Sequence, residues 1–479
     1  MNRSKEADPS LADRLITYGQ SAAYPFHMPG HKRQFHPFFD PYTMDITEIY
    51  GFDNLHHAEG ILLEAQQRAA YLYHASETFY LVNGSTCGIL AAVAAATKRG
   101  GKILMARNCH KAAYHAALLN DLEVSYLYPA ADMTRGLSGA IDPDEVEEML
   151  KKDASLRTVL ITSPTYDGVC SDVRRIAEIV HQHDGILIVD EAHGAHFGMH
   201  PYFPEHALSC GADLVINSVH KTLPSLTQTA LLHVQGTRVD RERLKSFLGI
   251  YQTSSPSYVL MAGIDACVRL LLEHGTELFD AFAKRLERLR AQLSDLQVLE
   301  LIRGTEPKLQ AYDYDRSKIL IATQRSSLSG SELSEILRSQ YQLEMEMDSE
   351  HYVTAITTIA DTEEGLDRLA EALIRIDAGL ERRPEQMAQP LAMWKNEAVL
   401  RIQEAVDAGK KSLPLVQSEG TVSAEFVYLY PPGIPLLVPG ERISGELLEK
   451  LLQYRADGFA LEGMADYRGE EIRVVDMQR

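Results

Sequence analysis

Short apolar strands alternate with helices between residue 84 and about residue 240, and this alternation constrains the fold more than any other feature of the sequence. The strands are continuous apolar runs, which indicates that both faces of the sheet are covered. The pattern predicts an α/β domain with a mainly parallel sheet, whose ligands bind at the carboxyl ends of the strands. The predicted strands are 102–106, 122–128, 159–163, 186–189, 213–218 and 230–234.

The rest of the chain is predicted to form an N-terminal arm and two further domains. The arm is irregular because proline and glycine interrupt its segment YPFHMPGHK. A helix predicted at 277–296 leaves the large domain, and a small α+β domain follows. A polar linker containing prolines then leads to a C-terminal α+β domain. The predicted boundaries are 1–40 for the arm, 41–298 for the large domain, 299–380 for the small domain, 381–390 for the linker and 391–479 for the C-terminal domain.

The composition narrows the class of protein. The 479 residues are 45% hydrophobic and 24% charged, which is typical of a folded globular protein. The 47 basic and 67 acidic residues give a net charge of −20, which argues against nucleic acid or an anionic membrane as a partner. The longest apolar run, 89–96, is too short to span a membrane, and the five cysteines include no CxxC pair. We therefore expect a cytoplasmic protein without a disulfide framework.

A glycine-containing segment, NGSTCG at residues 83–88, opens an alanine-rich helix. The free N–H groups and the dipole at a helix N-terminus favour an anion such as phosphate. Ser85 and Thr86 would add hydroxyl donors. An ordinary helix cap explains the same residues, so this segment alone does not establish a phosphate site.

An acid and a lysine follow two of the predicted strands. Asp190 ends the strand at 186–189, and Lys221 lies between the strand at 213–218 and a turn rich in serine and threonine. An acid beneath a pyridine nitrogen and a lysine joined to an aldehyde carbon are the two groups that hold pyridoxal phosphate. A metal site at His193, His196 and His200 is the alternative. Glycines 194 and 198 would break the helix needed to align these histidines, so we expect no metal.

His110 follows the strand at 102–106 and begins a helix. At the carboxyl end of a strand, its flat ring could stack on a flat cofactor. A histidine that only caps the helix is the competing interpretation.

Seven segments in order resemble one enzyme family. They are FHMPGHK, NGSTCG, NCHKA, SPTYDGVCSD, VDEAHGAH, SVHKTLPSLTQTALL and PPGIPLLVPGE. Together, from about residue 24 to about residue 443, they resemble the Orn/Lys/Arg decarboxylases, pyridoxal-phosphate enzymes of the aspartate-aminotransferase fold (fold type I). No receiver-like wing domain precedes FHMPGHK, so the chain is similar to the shorter bacterial branch, for which we expect a homodimer with a shared active site.

The resemblance implies a role for each matching residue. Lys221 would form the Schiff base, Asp190 would pair with the pyridine nitrogen, and His110 would stack on the ring. His193 would flank the ring or its phenolic oxygen. Ser85, Thr86, Ser218 and His220 would hold the phosphate, and Thr229 would reach the phosphate in the neighbouring subunit. The substrate side would be lined by His27, His31 and Glu441, with Glu441 facing the cationic head group.

The implied reaction is the decarboxylation of lysine, ornithine or arginine to carbon dioxide and an amine that feeds polyamine biosynthesis. Lys221 or His220 would return the proton to Cα. An aminotransferase of the same fold is one alternative, with Arg269 or Arg303 binding the substrate carboxylate. A non-catalytic regulator is another, although it predicts a lost Lys or Asp and both are present.

Overall fold

The computed structural model describes residues 10–37, 40–384, 395–429, 433–456 and 458–477, so parts of the predicted arm and linker and the start of PPGIPLLVPGE lie outside the described residues. The described α-helices are α1 (Leu11–Gln20), α2 (Ile61–Tyr73), α3 (Gly84–Ala96), α4 (Lys111–Leu119), α5 (Pro143–Lys152), α6 (Val173–Gln182), α7 (Val219–Thr222), α8 (Arg241–Tyr251), α9 (Tyr258–Leu293), α10 (Gly330–Tyr341), α11 (Glu363–Ala378), α12 (Ile402–Asp407) and α13 (Gly445–Ala456).

The described strands are mostly short. They are β1 (Tyr24–Phe26), β2 (Glu77–Leu81), β3 (Lys102–Ala106), β4 (Glu123–Leu127), β5 (Ala131–Asp132), β6 (Leu137–Ser138), β7 (Thr158–Thr162), β8 (Val169–Cys170), β9 (Ile186–Asp190), β10 (Leu214–Asn217), β11 (Ala230–Val234), β12 (Glu300–Leu301), β13 (Asp313–Tyr314), β14 (Lys318–Ala322), β15 (Leu343–Met345), β16 (Met347–Asp348), β17 (Tyr352–Ile356), β18 (Lys410–Pro414), β19 (Val427–Tyr428), β20 (Pro435–Leu437) and β21 (Glu471–Val475).

A seven-stranded sheet forms the centre of the molecule, in the order β2-β11-β10-β9-β7-β3-β4. The pairs from β10 to β4 are parallel, which confirms the predicted mainly parallel sheet. Strand β11 runs antiparallel to both β10 and β2. Strand β2 was missed by the sequence analysis. Its alternating pattern of partly buried and buried side chains differs from the continuous apolar runs of the other strands.

Helix ends follow local capping chemistry. The Asp142 side chain accepts a hydrogen bond from the Asp144 N–H and Pro143 occupies the first turn, as the sequence predicts for α5. The helix predicted at 277–296 is the second half of the much longer α9, which starts where Ser257 caps the Leu260 N–H. Apolar residues between Met261 and Leu271 keep one face of α9 buried throughout, so the helix continues through Gly275.

Two smaller sheets follow in sequence. Strands β12, β14, β17 and β16 form an antiparallel sheet that packs with α10 and α11. Near the C-terminus, β18 pairs with β21 and β19 with β20, around a separate apolar cluster that includes α13. Over the ranges that the structure describes, no helix is both long and apolar enough to cross a membrane.

Candidate active site

A cleft of about 370 Å³ opens where β2, β3, β7, β9 and β10 end. Because these strands run in the same direction, the residues that follow each of them meet at one edge of the sheet. The described residues that line the cleft are Met28, Gly84, Ser85, Thr86, Asn108, His110, Thr162, Pro164, Tyr166, Asp190, Ala192, His193, His220, Lys221, Thr227, Glu346 and Ile434. Seven of the twelve predicted site residues are therefore brought together here.

Lys221 lies within hydrogen-bonding distance of His193, which is also contacted by a second buried lysine. His193 Nε2 is 3.0 Å from Lys221 Nζ, and His193 Nδ1 is 3.3 Å from Lys318 Nζ. Burial holds the pKa of His193 well below its ordinary value, and both lysines add to that shift. A neutral histidine carries one ring proton, and an ammonium group can only donate. We therefore assign the proton to Nε2, with Lys318 donating to Nδ1.

The environment of Lys221 shifts its amine towards the neutral form. Burial lowers the pKa of Lys221 below that of an exposed lysine, and the charge of Lys318 acts in the same direction. The carboxylates of Asp190 and Glu346 oppose the shift. A neutral amine with a free lone pair is the form that attacks an aldehyde carbon. It is also the form that accepts the Nε2–H of His193.

Asp190 is the last residue of β9, and its carboxylate is buried beside the cleft. Its described hydrogen bond comes from the Ala192 N–H to Oδ1, at 3.2 Å. Burial raises the pKa of Asp190, while the charge of Lys221 opposes the rise. A carboxylate with spare acceptor capacity at this depth suits a ligand that brings its own N–H donor.

His110 both caps a helix and lines the cleft, so the two interpretations of this residue are compatible. Its Nδ1 accepts a hydrogen bond from the Ala112 N–H at the start of α4. Burial and the nearby Lys221 lower the pKa of His110 to about 3. The ring is therefore neutral at physiological pH.

The residues at one end of the cleft fit a phosphate group. Helix α3 begins at Gly84 with φ +72°, a conformation that glycine adopts without strain, and Ser85 and Thr86 line the cleft beside it. Ser218 is fully buried, and its hydroxyl has no hydrogen-bond partner among the described residues. Buried hydroxyls without a partner are uncommon in folded proteins. Ser218 itself is not in the described cleft lining, so the feature of the cleft that fits an anionic ligand is the N-terminus of α3 with Ser85 and Thr86.

His220 lines the same end of the cleft, where its Nδ1 lies 2.9 Å from the Thr229 carbonyl oxygen. Burial lowers the pKa of His220 to about 4. The histidine whose contact with the Lys221 amine is described is His193, with Nε2 at 3.0 Å from Lys221 Nζ.

The prediction for Thr229 is wrong. Its side chain is fully buried, and its hydroxyl lies 2.7 Å from the Leu226 carbonyl oxygen and 2.8 Å from Ser225 Oγ. A group enclosed in its own loop cannot reach a neighbouring subunit. Thr227, in the same LTQTA segment, is the threonine that lines the cleft.

The prediction that His27 and His31 line the substrate side is also not met. His27 contacts the Tyr18 hydroxyl at 2.5 Å, and His31 Nδ1 accepts from the Arg33 N–H. The intervening Met28 lines the cleft instead.

The FHMPGHK loop can pack closely against the cleft because Gly30 has no side chain. The Gly30 N–H donates to the His220 carbonyl oxygen, and a Cβ at position 30 would lie 2.6 Å from the Leu223 carbonyl oxygen. The loop therefore packs directly against the turn that carries Lys221. Its other side is held by the small sheet, where Lys32 Nζ donates to the Ile356 carbonyl oxygen and the Thr358 hydroxyl to the Gly30 carbonyl oxygen.

Glu441 is not part of the described cleft lining, which corrects the prediction that it faces the substrate. It is buried 3.5 Å from the Arg107 guanidinium and accepts hydrogen bonds from Asn396 and the Val438 N–H. Ile434 is the described residue of PPGIPLLVPGE that lines the cleft.

The three histidines of the metal alternative point to different partners. His193 lies between the two lysines, His196 pairs with Asp315 at 3.1 Å, and His200 pairs with Asp280 at 3.1 Å. In the portion of the chain that the structure describes, no group of three or more His, Cys, Asp or Glu is arranged to hold a metal ion.

Tyr166, Glu346 and Lys318 are among the polar residues of the site that sequence reasoning missed. Tyr166 and Glu346 line the cleft. Lys318 lies outside the described lining, with its Nζ 3.3 Å from His193 Nδ1. Tyr166 lies in SPTYDGVCSD, one of the segments that carry the resemblance, so it could have been proposed. Glu346 and Lys318 come from the small α+β region, and no local pattern indicates that their side chains reach the end of the large sheet.

The fold defines the general class of protein. The solved structure of the constitutive lysine decarboxylase of Escherichia coli overlaps with a TM-score of 0.77 at 20% identity, covering 98% of this chain and 82% of that chain. Alanine–glyoxylate aminotransferase from Nostoc sp. overlaps with a TM-score of 0.54 at 13% identity, covering 76% of this chain and 91% of that chain. The architecture is that of fold-type-I, pyridoxal-phosphate-dependent enzymes, which confirms the predicted fold class.

Sequence comparison identifies the family. Residues 9–314 match the Orn/Lys/Arg decarboxylase major domain, and residues 383–458 match the Orn/Lys/Arg decarboxylase C-terminal domain. The arginine decarboxylase of Bacillus subtilis (strain 168) is 31% identical over 466 residues, covering 95% of both chains. Lysine decarboxylase LdcA of Pseudomonas aeruginosa is 24% identical, covering 93% of this chain and 75% of the relative. The chain belongs to the Orn/Lys/Arg decarboxylase family and is an amino-acid decarboxylase.

Proposed function

We propose that this chain decarboxylates a basic amino acid with pyridoxal phosphate bound at Lys221. The observation that carries the proposal is the placement of Lys221 and Asp190 in one cleft, after neighbouring parallel strands β10 and β9. Relatives named arginine and lysine decarboxylase support the substrate class. Arginine is the substrate we expect first, because relatives of that name match 95% and 98% of this chain at 31% and 30% identity.

The residues of the cleft fit the cofactor. Ser85, Thr86, Ser218 and the N-terminus of α3 would hold its phosphate, Asp190 would pair with its ring nitrogen, and His110 would lie against its ring. When bound, pyridoxal phosphate supplies an aldehyde for an amino group and a ring that accepts the electron pair of a broken bond at Cα.

The protein's own groups would handle the proton. His193 donates its Nε2–H to the neutral amine of Lys221, while Lys318 holds the other ring nitrogen. This pair can hold a proton and supply it to the substrate Cα, where it replaces the carboxylate that leaves as carbon dioxide. Met28, Pro164 and Ile434 give the cleft apolar walls that help to exclude water.

The aminotransferase alternative receives no support from the two arginines considered for it. Arg269 pairs with Asp265 at 2.8 Å on the surface, and Arg303 contacts the Ser294 carbonyl oxygen. Neither belongs to the described cleft lining.

The test is a carbon dioxide release assay with arginine, lysine and ornithine in the presence of added pyridoxal phosphate. We expect release from at least one of them, and its loss in Lys221→Ala together with the absorbance of the lysine-bound cofactor. Lys308→Ala is a matched control, because Lys308 lies 2.9 Å from the Thr134 hydroxyl, away from the cleft. No release from all three substrates, or full activity in Lys221→Ala, would contradict the proposal.

A further inference from the structure

Glu346 is one of two carboxylates in the described lining of the cleft, and the mechanism leaves it without a role. The other, Asp190, ends β9 beside Lys221. Glu346 lies between β15 and β16, so it reaches the cleft from the small α+β region.

Two neutral groups fix the Glu346 carboxylate. Oε1 accepts a hydrogen bond from the Tyr166 hydroxyl at 2.7 Å, and Oε2 accepts one from the Met28 N–H at 2.8 Å. Both partners also line the cleft. An ionised carboxylate can accept about four hydrogen bonds, so each oxygen retains capacity for a further donor.

The contacts connect this carboxylate to Lys221 through Tyr166 and His193. The Tyr166 ring centroid is 4.8 Å from that of His193, and His193 is 3.0 Å from the Lys221 amine. Met28 and Ile434 line the same cleft from the N-terminal loop and the C-terminal region. A substrate that displaces Lys221 from the cofactor would lie in this cleft, which Glu346 also lines.

We propose that Glu346 binds the cationic head group of the substrate and makes the enzyme selective for basic amino acids. This inference rests on the proposed function and assigns to Glu346 the role that the sequence analysis gave to Glu441. A cation entering a largely enclosed site needs a partner charge, because burying it alone is costly. Glu346 is oriented by two hydrogen bonds before the substrate arrives, so little ordering is needed on binding.

The negative charge of Glu346 also acts on the amines of three neighbouring lysines. Its charge raises the pKa of Lys221, Lys318 and Lys32, each of which burial lowers. A carboxylate whose charge acts on these three lysines would also attract a cation brought by the substrate.

The main competing role for Glu346 is structural, as the group that holds the Met28 loop against Tyr166. The two roles make different predictions. A structural role affects cationic and neutral ligands equally, whereas recognition of a cation affects only the cationic ones.

The experiment compares Glu346→Gln with wild type, using whichever basic amino acid the wild-type enzyme decarboxylates. A neutral analogue of matching length is measured as a competitive inhibitor: citrulline for arginine, norleucine for lysine, norvaline for ornithine. We expect Glu346→Gln to lower kcat/KM for the cationic substrate by about 10- to 100-fold, the range for a hydrogen bond to a charged group. The inhibition constant of the neutral analogue should change by less than about threefold.

Two further variants serve as controls. Glu344→Gln removes a nearby carboxylate that lies 3.8 Å from Arg338 and outside the described cleft lining, so its kinetics should match wild type. Tyr166→Phe removes one anchor of Glu346 and keeps the charge, so it should retain most of the preference for the cation.

Equal losses for the cationic substrate and the neutral analogue in Glu346→Gln would overturn the proposal in favour of the structural role. If Glu346→Gln shows no turnover, calorimetric binding of the two ligands gives the same ratio, with the same two outcomes. Carbon dioxide release by wild type tests the proposed function separately, since it does not depend on which carboxylate binds the head group.

Discussion

A single buried cation, Lys318, acts on two groups of the cleft. It lies 3.3 Å from His193 Nδ1, and its charge lowers the pKa of Lys221. It is fully buried on β14, and burial lowers its pKa. Asp315, at 4.0 Å, and the charges of Glu346 and Asp167 oppose that shift and favour the ammonium form. Lys318 therefore helps to keep both His193 and Lys221 neutral.

Lys318→Gln should shift the pH dependence of cofactor attachment to the apoprotein. Loss of the positive charge raises the pKa of Lys221, so the neutral amine becomes available only at higher pH. The midpoint of the attachment rate, followed by absorbance, should move in the alkaline direction.

Two further variants make this result interpretable. Lys318→Met removes the same charge and also the donor to His193 Nδ1, so it should show the same shift with a larger loss of activity. Lys308→Gln should leave the midpoint unchanged. An unchanged midpoint in both Lys318 variants would show that its charge does not reach Lys221.

The residues that sequence reasoning placed in the cleft all follow strand ends. Lys221, Asp190 and His110 could be predicted because parallel strands bring their carboxyl ends to one edge whatever the details of packing. Glu441 and Thr229 were placed wrongly, because membership in a motif does not determine which way a side chain points. Glu346 could not be predicted because its position depends on how the small sheet packs against the large one.

At the scale of elements, a buried ion pair ties the C-terminal region to the central sheet. Arg107 follows β3 and donates to the carbonyl oxygens of Pro435 and Leu436, while Glu441 lies 3.5 Å from its guanidinium. This contact sets the position of β20, immediately beyond the cleft residue Ile434.

Glu441→Gln should therefore change stability more than substrate binding. Loss of one partner of a buried pair costs roughly 3–5 kcal/mol, because the Arg107 charge is left uncompensated. Urea unfolding should show this loss, while KM for the basic substrate changes by only a few-fold. Glu404→Gln is the control, since its pair with Arg401 is exposed and should contribute less than about 1 kcal/mol. A large rise in KM with unchanged stability would instead return Glu441 to the substrate site.

The sequence analysis predicted strands accurately where a segment is continuously apolar, and helices where capping residues mark the start. Strand β3 and helix α5 follow from continuous apolar character and from capping residues. Only part of α9 was found, although the buried residues of its first half, such as Met261, Ile264, Val268 and Leu271, recur at helical spacing that the sequence analysis did not use. The antiparallel direction of β11 depends on the return of the chain after Lys221, which no local pattern encodes.

At the scale of the whole molecule, many of the exposed large apolar side chains among the described residues lie in the N-terminal part of the chain. Tyr42 is 86% exposed and Leu11 is 74% exposed. Helix α1 has no buried residue, although apolar side chains recur along one of its sides. Further exposed apolar residues in the N-terminal part of the chain are Leu15, Ile16, Ile49, Tyr50, Phe52, Ile61 and Leu63. Apolar surface on this scale is uncommon on a monomer.

We therefore predict a homodimer that buries this apolar surface. Light scattering should give twice the mass of one chain, and Ile49→Asp with Tyr50→Asp should weaken the association. Tyr467→Asp is a matched control, because Tyr467 is equally exposed but lies near the C-terminus. A wild-type protein that is monomeric and fully active at assay concentration would contradict the prediction.

The loop around Gly30 has a consequence for how the enzyme is made. Lys32 and Gly30 bond to Ile356 and Thr358, which lie 324 and 328 residues later in the chain and therefore leave the ribosome well after them. Contacts between such distant residues form late, after the intervening segments have been synthesised and have folded. Met28, carried by the same loop, therefore reaches its place only after the small sheet exists. A nascent chain can complete its parallel sheet and still lack one wall of the cleft, so the ability to bind substrate arises at a late point in synthesis.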